Sequence, residues 1–271
     1  MGSIVPSFYA LISMFFIGFL MLGATSPAAA IPVEQCDEVE VVGHRGTNVG
    51  HTENTVGAIQ EAIRGGADWA EIDVRRTSDH VWVVMHDASV NRTTRGKGKI
   101  SGMSMAKVRR IKTNDGQRIP SLSEALGAVE PTTAKIQVEV KIDASNAALR
   151  NLRKTLRTAA MTERTVITSF KTGVLRRLHA IAPEVSTALI SRKAVSPAKA
   201  KRYGDTVLVK LSGLSRSRIR AFHQNDITVS AWTADTGRDW KRLVRIGADS
   251  IITDKSSGLT NWCIAEAVAP T

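Results

Sequence analysis

The chain has 271 residues, 43% of them hydrophobic, enough for one large core, which excludes a disordered or low-complexity protein. Lys and Arg outnumber Asp and Glu by 37 to 25, and the resulting +12 charge draws the protein toward anionic partners such as phospholipid surfaces, wall phosphate polymers or nucleic acid, or else serves solubility. The two cysteines, Cys36 and Cys263, have no His or Cys at a finger spacing nearby, which argues against a zinc module.

In chain order, Phe8–Ala24 is an apolar run followed by Thr25-Ser26-Pro27-Ala28-Ala29-Ala30. This reads as a secretory signal peptide, residues 1–30, cut after Ala30 to export a single domain, residues 31–271. No Lys or Arg occurs in the first ten residues, so the usual basic leader is missing. The competing reading is a membrane-anchoring helix, for which this run is at the short edge. Export would let Cys36 and Cys263 pair, and a closed barrel, which sets its first and last strands side by side, would make that geometry possible.

Strands are predicted at Val39–Val42, Trp69–Val74, Val81–His86, Lys135–Ile142, Thr165–Ser169, Val185–Ser191, Thr206–Leu211, Thr228–Thr233 and Ser250–Thr253, with helices between most of them. A helix is expected from Asn54 to Ile63, with Asn54 as its N-cap, and another from Asn146 to Met161. Ser121-Leu122-Ser123-Glu124 has capping-box spacing, and Ala88–Ser101 reads as a polar loop. Nine strands exceed by one the count for a (β/α)₈ TIM barrel. The linker Arg75–His80 is too short for a parallel crossover, so the second and third strands should form an antiparallel hairpin at the rim, leaving eight for the barrel.

Chemistry-capable residues gather where strands end. Glu71 and Asp73 lie two apart and share one strand face. Two inward carboxylates need positive charge between them, and a divalent cation supplies it. Gln137, Glu139 and Lys141 share a face in the same way, which adds Glu139 as a third carboxylate with Lys141 beside it. Three carboxylates suit a hard cation, Ca²⁺ or Mg²⁺; the alternative is a carboxylate–base network without metal. His44 and His86 could divide acid and base work around a phosphate, and Arg45 offers a planar fork to its oxygens. Glu53 could orient Arg45 or a histidine.

The stretch His44-Arg45-Gly46, Glu53-Asn54-Thr55, Glu71-Ile72-Asp73 and His86-Asp87 resembles the glycerophosphodiester phosphodiesterase family, whose motifs occur in that order. The resemblance implies a TIM barrel, a catalytic pair at His44 and His86, metal ligands at Glu71, Asp73 and Glu139, and a substrate-lining tryptophan at Trp232. It implies hydrolysis of glycerophosphodiesters to glycerol 3-phosphate and an alcohol. Related readings are a phospholipase D-like activity or degradation of wall teichoic acid on the same fold, and a non-enzymatic alternative is a binder of anionic polymers. The chain departs from the family pattern at Thr52 and Trp82, where proline is usual, at Asp79-His80, which lacks a glycine, and at Asp235, which replaces asparagine. These positions bear on pocket shape more than on catalysis.

Overall fold

The computed structural model describes residues 1–2, 36, 38–193 and 195–268. The apolar run Phe8–Ala24 and the cleavage site at Ala30 lie outside the described residues. Among the described residues no helix is long and apolar enough to cross a membrane.

The described residues from Cys36 to Val268 form a (β/α)₈ barrel. Its strands are β1 (Glu40–Gly43), β2 (Trp69–Arg76), β4 (Lys135–Val140), β5 (Thr165–Ser169), β6 (Ser186–Ser191), β7 (Thr206–Lys210), β8 (Thr228–Trp232) and β9 (Ser250–Thr253). They pair in parallel around the ring, and β1 closes it against both β9 and β2. The extra strand β3 (Trp82–Val84) runs antiparallel to the end of β2, with Val74 opposite Val84 and Arg76 opposite Trp82. The expected hairpin is therefore present, although β3 is shorter than predicted and His86 lies just beyond it.

Helices cover the outside: α1 (Val56–Arg64), α3 (Leu122–Val129), α4 (Asn146–Thr158), α5 (Thr172–Ile181), α6 (Pro197–Lys201), α7 (Arg216–His223), α8 (Gly237–Ile246) and α9 (Ser256–Val268), with α2 (Met105–Val108) in a loop. Strand residues such as Ile72, Val138 and Ile167 pack outward against Leu126, Leu149 and Leu178 of these helices. The lumen is filled by Val42, Ala188, Ile190, Leu208 and Ile252. Burial of such aliphatic side chains contributes roughly 1.5–3 kcal/mol each. The capping box is complete, since Ser121 accepts from Glu124 N while Glu124 accepts from Ser121 N.

Two expectations are corrected. Helix α1 is capped by Thr55, whose side chain accepts from Ala58 N, because Asn54 has a positive φ and its side chain turns to the barrel instead. The polar stretch after His86 belongs to an excursion with its own small core of Val83, Met85, Val90, Ile100, Met103 and Ile119. Its apolar residues are too widely spaced to show a period.

Cys36 and Cys263 form a disulfide across a sequence separation of 227 residues. It ties the segment before β1 to α9, at the seam where the barrel closes.

Candidate active site

The C-terminal ends of the strands surround a cavity of about 230 Å³. His44, Arg45, Glu71, His86, Glu139 and Lys141 line one side. Phe170, Ile190, Leu208, Trp232 and Ile252 line the other, with Arg192 among them. This is the end of a barrel at which parallel strands deliver functional side chains.

Strand register assembles the acids. Asp73 pairs laterally with Glu139, and Glu71 with Gln137. Oxygens of Glu71, Asp73 and Glu139 lie within 4.8 Å of one another, and all three residues are buried. Lys141 Nζ lies 3.2 Å from Asp73 and 2.9 Å from Glu139, and Arg45 Nε is 3.4 Å from Asp73. Ion pairs of the kind the alternative, metal-free reading invoked are thus present, and they centre on Asp73. Among the described residues, Glu71 accepts only the Arg45 backbone N–H, at 2.9 Å, and no cationic side chain bridges to it. Burial and the charge of Asp73 push Glu71 up to about 8. Burial and Asp73 also raise Glu139. Burial opposes ionisation of Asp73 as well, but Lys141, Arg45 and His86 outweigh it and hold Asp73 below the usual range. A set of oxygen donors with negative charge left uncompensated fits a hard divalent cation.

The backbone of the first loop is shaped for this cluster. Gly46 has φ +82°, and a Cβ there would lie 2.5 Å from the Ala58 carbonyl carbon, so α1 can pack closely only against glycine. Arg45 and Asn54 also have positive φ, at 54° and 61°, conformations that other L-residues rarely take. Surrounding bonds hold them: Asn54 N donates to Arg45 O at 2.8 Å, and Asn54 Nδ2 donates to Asp73 Oδ2 at 2.8 Å. Asn54 Oδ1 accepts from Asp73 N at 3.0 Å. Asn54 therefore orients Asp73 rather than capping the helix, a role that spacing alone does not reveal.

Each histidine is anchored through Nδ1 by a carboxylate. His44 Nδ1 is 2.7 Å from Asp254, and His86 Nδ1 is 2.7 Å from Asp87. Either arrangement fixes the ring and leaves Nε2 for the cavity. Burial opposes protonation of His44, but the Asp254 hydrogen bond and the charge of Glu71 more than offset it and raise the pKa. For His86 burial wins over Asp73 and Asp87, and the pKa falls. Glu53 accepts from Arg45 at 2.8 Å, as expected, and also from both Nη atoms of Arg92. Arg92 Nε in turn donates to Asp87 at 2.7 Å. A continuous chain thus links Arg45 to His86 through Glu53, Arg92 and Asp87.

Trp232 stands edge-on to Phe170, with centroids 5.7 Å apart, and its buried Nε1 has no acceptor within the described residues. Asp235 accepts from Thr253 Oγ1 and from Asp254 N, which positions the partner of His44. No local pattern in the sequence points to Arg92, Phe170 or Arg192, and only its place directly after the last strand marks Asp254.

A barrel with two carboxylate-anchored histidines, paired bases and a buried acidic cluster at its C-terminal mouth defines an enzyme of the phosphoric ester hydrolase class. Residues 44–257 match the glycerophosphoryl diester phosphodiesterase family, and the chain belongs to that family. It is 28% identical over 233 residues to a glycerophosphodiester phosphodiesterase of Caldanaerobacter subterraneus, covering 82% of this chain and 96% of the relative. Among solved structures, it resembles an Oleispira antarctica phosphodiesterase in complex with the product sn-glycerol-3-phosphate. The TM-score is 0.78 at 21% identity, covering 82% of this chain and 96% of that one. A glycerophosphodiester phosphodiesterase of Agrobacterium tumefaciens aligns with a TM-score of 0.72 at 22% identity, over 82% and 99% of the two chains. At such identities these likenesses speak for the fold.

Proposed function

We propose that this glycerophosphodiester phosphodiesterase is an exported, cation-dependent enzyme that releases glycerol 3-phosphate and an alcohol with acid–base help from His44 and His86. The observation that carries the reading is the convergence of both histidines, the three carboxylates, Arg45 and Lys141 on one cavity. Glu71, Asp73 and Glu139 would hold a Ca²⁺ or Mg²⁺ ion, which supplies Lewis-acid neutralisation of phosphate charge. Arg45 and Lys141 add positive charge beside the non-bridging oxygens, where it stabilises the transition state more than the ground state.

The opposite shifts of the two histidines suggest the division of labour. His86, biased neutral, takes the proton of the attacking oxygen. His44, held protonated by Asp254, gives a proton to the departing alcohol. Trp232 lines the cavity edge-on to Phe170 and would bound the substrate there. Asn54 and Glu53 keep Asp73 and Arg45 in place. Export is supported by the apolar leader ahead of Ala30 and by a disulfide of the kind that persists in oxidising compartments.

The test is release of glycerol 3-phosphate from glycerophosphocholine and glycerophosphoglycerol with Mg²⁺, with Ca²⁺ and after chelation. Release unaffected by chelation would remove the cation from the reading, and no release from either diester would overturn the activity. Edman sequencing of the secreted protein should begin at Ile31.

A further inference from the structure

We infer that the substrates of this enzyme carry a second negative charge on one arm, as in a diester whose alcohol bears a further phosphate; this rests on the phosphodiesterase reading above. Ile190 and Leu208 point into the lumen, so Arg192 and Lys210, two residues further on, follow the same face at the mouth. Phe170 lines the cavity where β5 ends, and Trp232, paired with Lys210, closes β8. The cavity wall on this side therefore presents two aromatic rings and Arg192, with the exposed Lys210 following the same strand face at the rim.

Neither cation has a carboxylate partner among the described residues. The segments that follow β5, β6 and β7, residues 170–171, 192–196 and 211–215, contain no Asp or Glu, while Lys171 and Lys193 add charge of the same sign. The guanidinium of Arg192 lies 4.6 Å from the centroid of the Phe170 ring. That contact decides the sign of the ligand. A quaternary ammonium arm would seek an aromatic face, but the Phe170 face is already covered by the protein's own cation, which would repel it. An anionic arm instead meets a fork-shaped donor held in place by the ring and aimed at the cavity.

The two walls also orient the diester. The acidic wall, with its cation, suits the hydroxyls of glycerol, and the arm leaving the phosphate on the other side passes the apolar residues toward Arg192. In the reaction, water supplies hydroxide to phosphorus and a proton to the alcohol oxygen as the phosphorus–oxygen bond to that arm breaks. The second phosphate departs intact on the alcohol. A short soluble diester and an end unit of a polymeric glycerophosphate share this chemistry.

The experiment measures kcat/KM of the full exported protein for four diesters. These are glycerophosphocholine (cationic arm), glycerophosphoglycerol (neutral arm), bis(glycerophospho)glycerol and a poly(glycerol phosphate) chain. The wild type should prefer the two phosphate-bearing arms, and that preference should weaken with added salt. Arg192→Gln should lower the ratio of bis(glycerophospho)glycerol to glycerophosphoglycerol by about 10- to 100-fold, the range for losing a charge-assisted hydrogen bond. Arg192→Glu should move the preference toward glycerophosphocholine, and Lys210→Gln should shift the ratio in the same direction as Arg192→Gln but less. Preference for the polymer over the short diester would identify the polymer as the source, and the reverse a soluble metabolite. Equal kcat/KM for cationic and phosphate-bearing arms, or an Arg192→Gln loss equal on all substrates, would overturn the inference while leaving the phosphodiesterase reading intact. Inactivity on all four would overturn that reading itself.

Discussion

The wall of the cavity built by β1, β2 and β4 and the wall built by β5 to β8 differ in how their residues are held. On the first, polar side chains are tied to named partners: His44 to Asp254, Asn54 to Asp73, and Arg45 through Glu53, Arg92 and Asp87 to His86. On the second, Phe170, Ile190, Leu208 and Trp232 are lining contacts with few polar ties, and Arg192 rests on a ring. A linked wall cannot lose one member without disturbing its neighbours, because buried charges left unpaired are costly. A wall of separate contacts can change residue by residue. On the proposed mechanism, chemistry belongs to the first wall and substrate choice to the second.

The strongest way to break this division is to remove a ligand charge. Glu71→Gln and Glu139→Gln should each abolish cation-dependent turnover while the barrel persists, since shape is kept. Calorimetric titration with Ca²⁺ and Mg²⁺ checks this, and unchanged affinity in both variants would mean that the acids are not the cation site. The cluster also carries a pH signature. Glu71 titrates near 8 in the folded state against its usual 4.5, so the folded state binds more protons than the unfolded between those values. The metal-free protein should therefore lose stability as pH rises through that window, and a bound cation should restore it. Thermal melts from pH 5 to 8, with and without Mg²⁺, give the comparison.

Next come the histidines. His44→Ala and His86→Ala should each lower the rate by about 10² to 10⁴-fold, the range for lost acid–base help, without weakening cation binding. With His86 lowered and His44 raised around 6.5, the wild-type profile should be bell-shaped, its acid limb below that value and its alkaline limb above it. On a nitrophenyl ester, whose leaving alcohol needs no proton, His44→Ala should recover much of its loss and His86→Ala should not. Equal losses on both substrates would end the assignment of acid and base.

A smaller effect is expected one bond further out. Arg92→Ala breaks the chain between Glu53 and Asp87, and turnover should fall about tenfold, within the range for supporting residues around such sites. If the first wall is truly linked, Arg92→Ala and Asp87→Asn should be non-additive in a double-mutant cycle. Full additivity would show two independent contacts.

The smallest effect on turnover should come from the seam. Cys36→Ser with Cys263→Ser leaves both walls untouched, so kcat should hold. Opening so long a loop removes up to about 5 kcal/mol in the chain-entropy model, with measured values often lower. Denaturant unfolding of the two proteins measures it, and two free thiols in the wild type would cancel the prediction.

The difference between the walls also explains what was legible in the residues alone. Glu71 and Asp73, then Glu139 and Lys141, declare a common face through a period of two, which is a property of one strand and needs no neighbour. The short Arg75–His80 linker dictates a hairpin for the same local reason, and the strand count then leaves a barrel. His44, Arg45, Glu53 and His86 fall within one continuous stretch, so the catalytic wall could be read in order. Asn54 could not, because its amide works on a strand 19 residues away rather than on the helix it precedes. Asp254 meets His44 across 210 residues, and that meeting exists only once β1 has closed on β9. Arg92 reaches Glu53 only because the excursion folds on a core of scattered apolar residues. Arg192 looks like one of many surface cations until β6 and β5 are laid side by side and its guanidinium comes to rest on Phe170. Local periodicity fixes which way a side chain faces, but closure of the ring decides which distant side chain it meets.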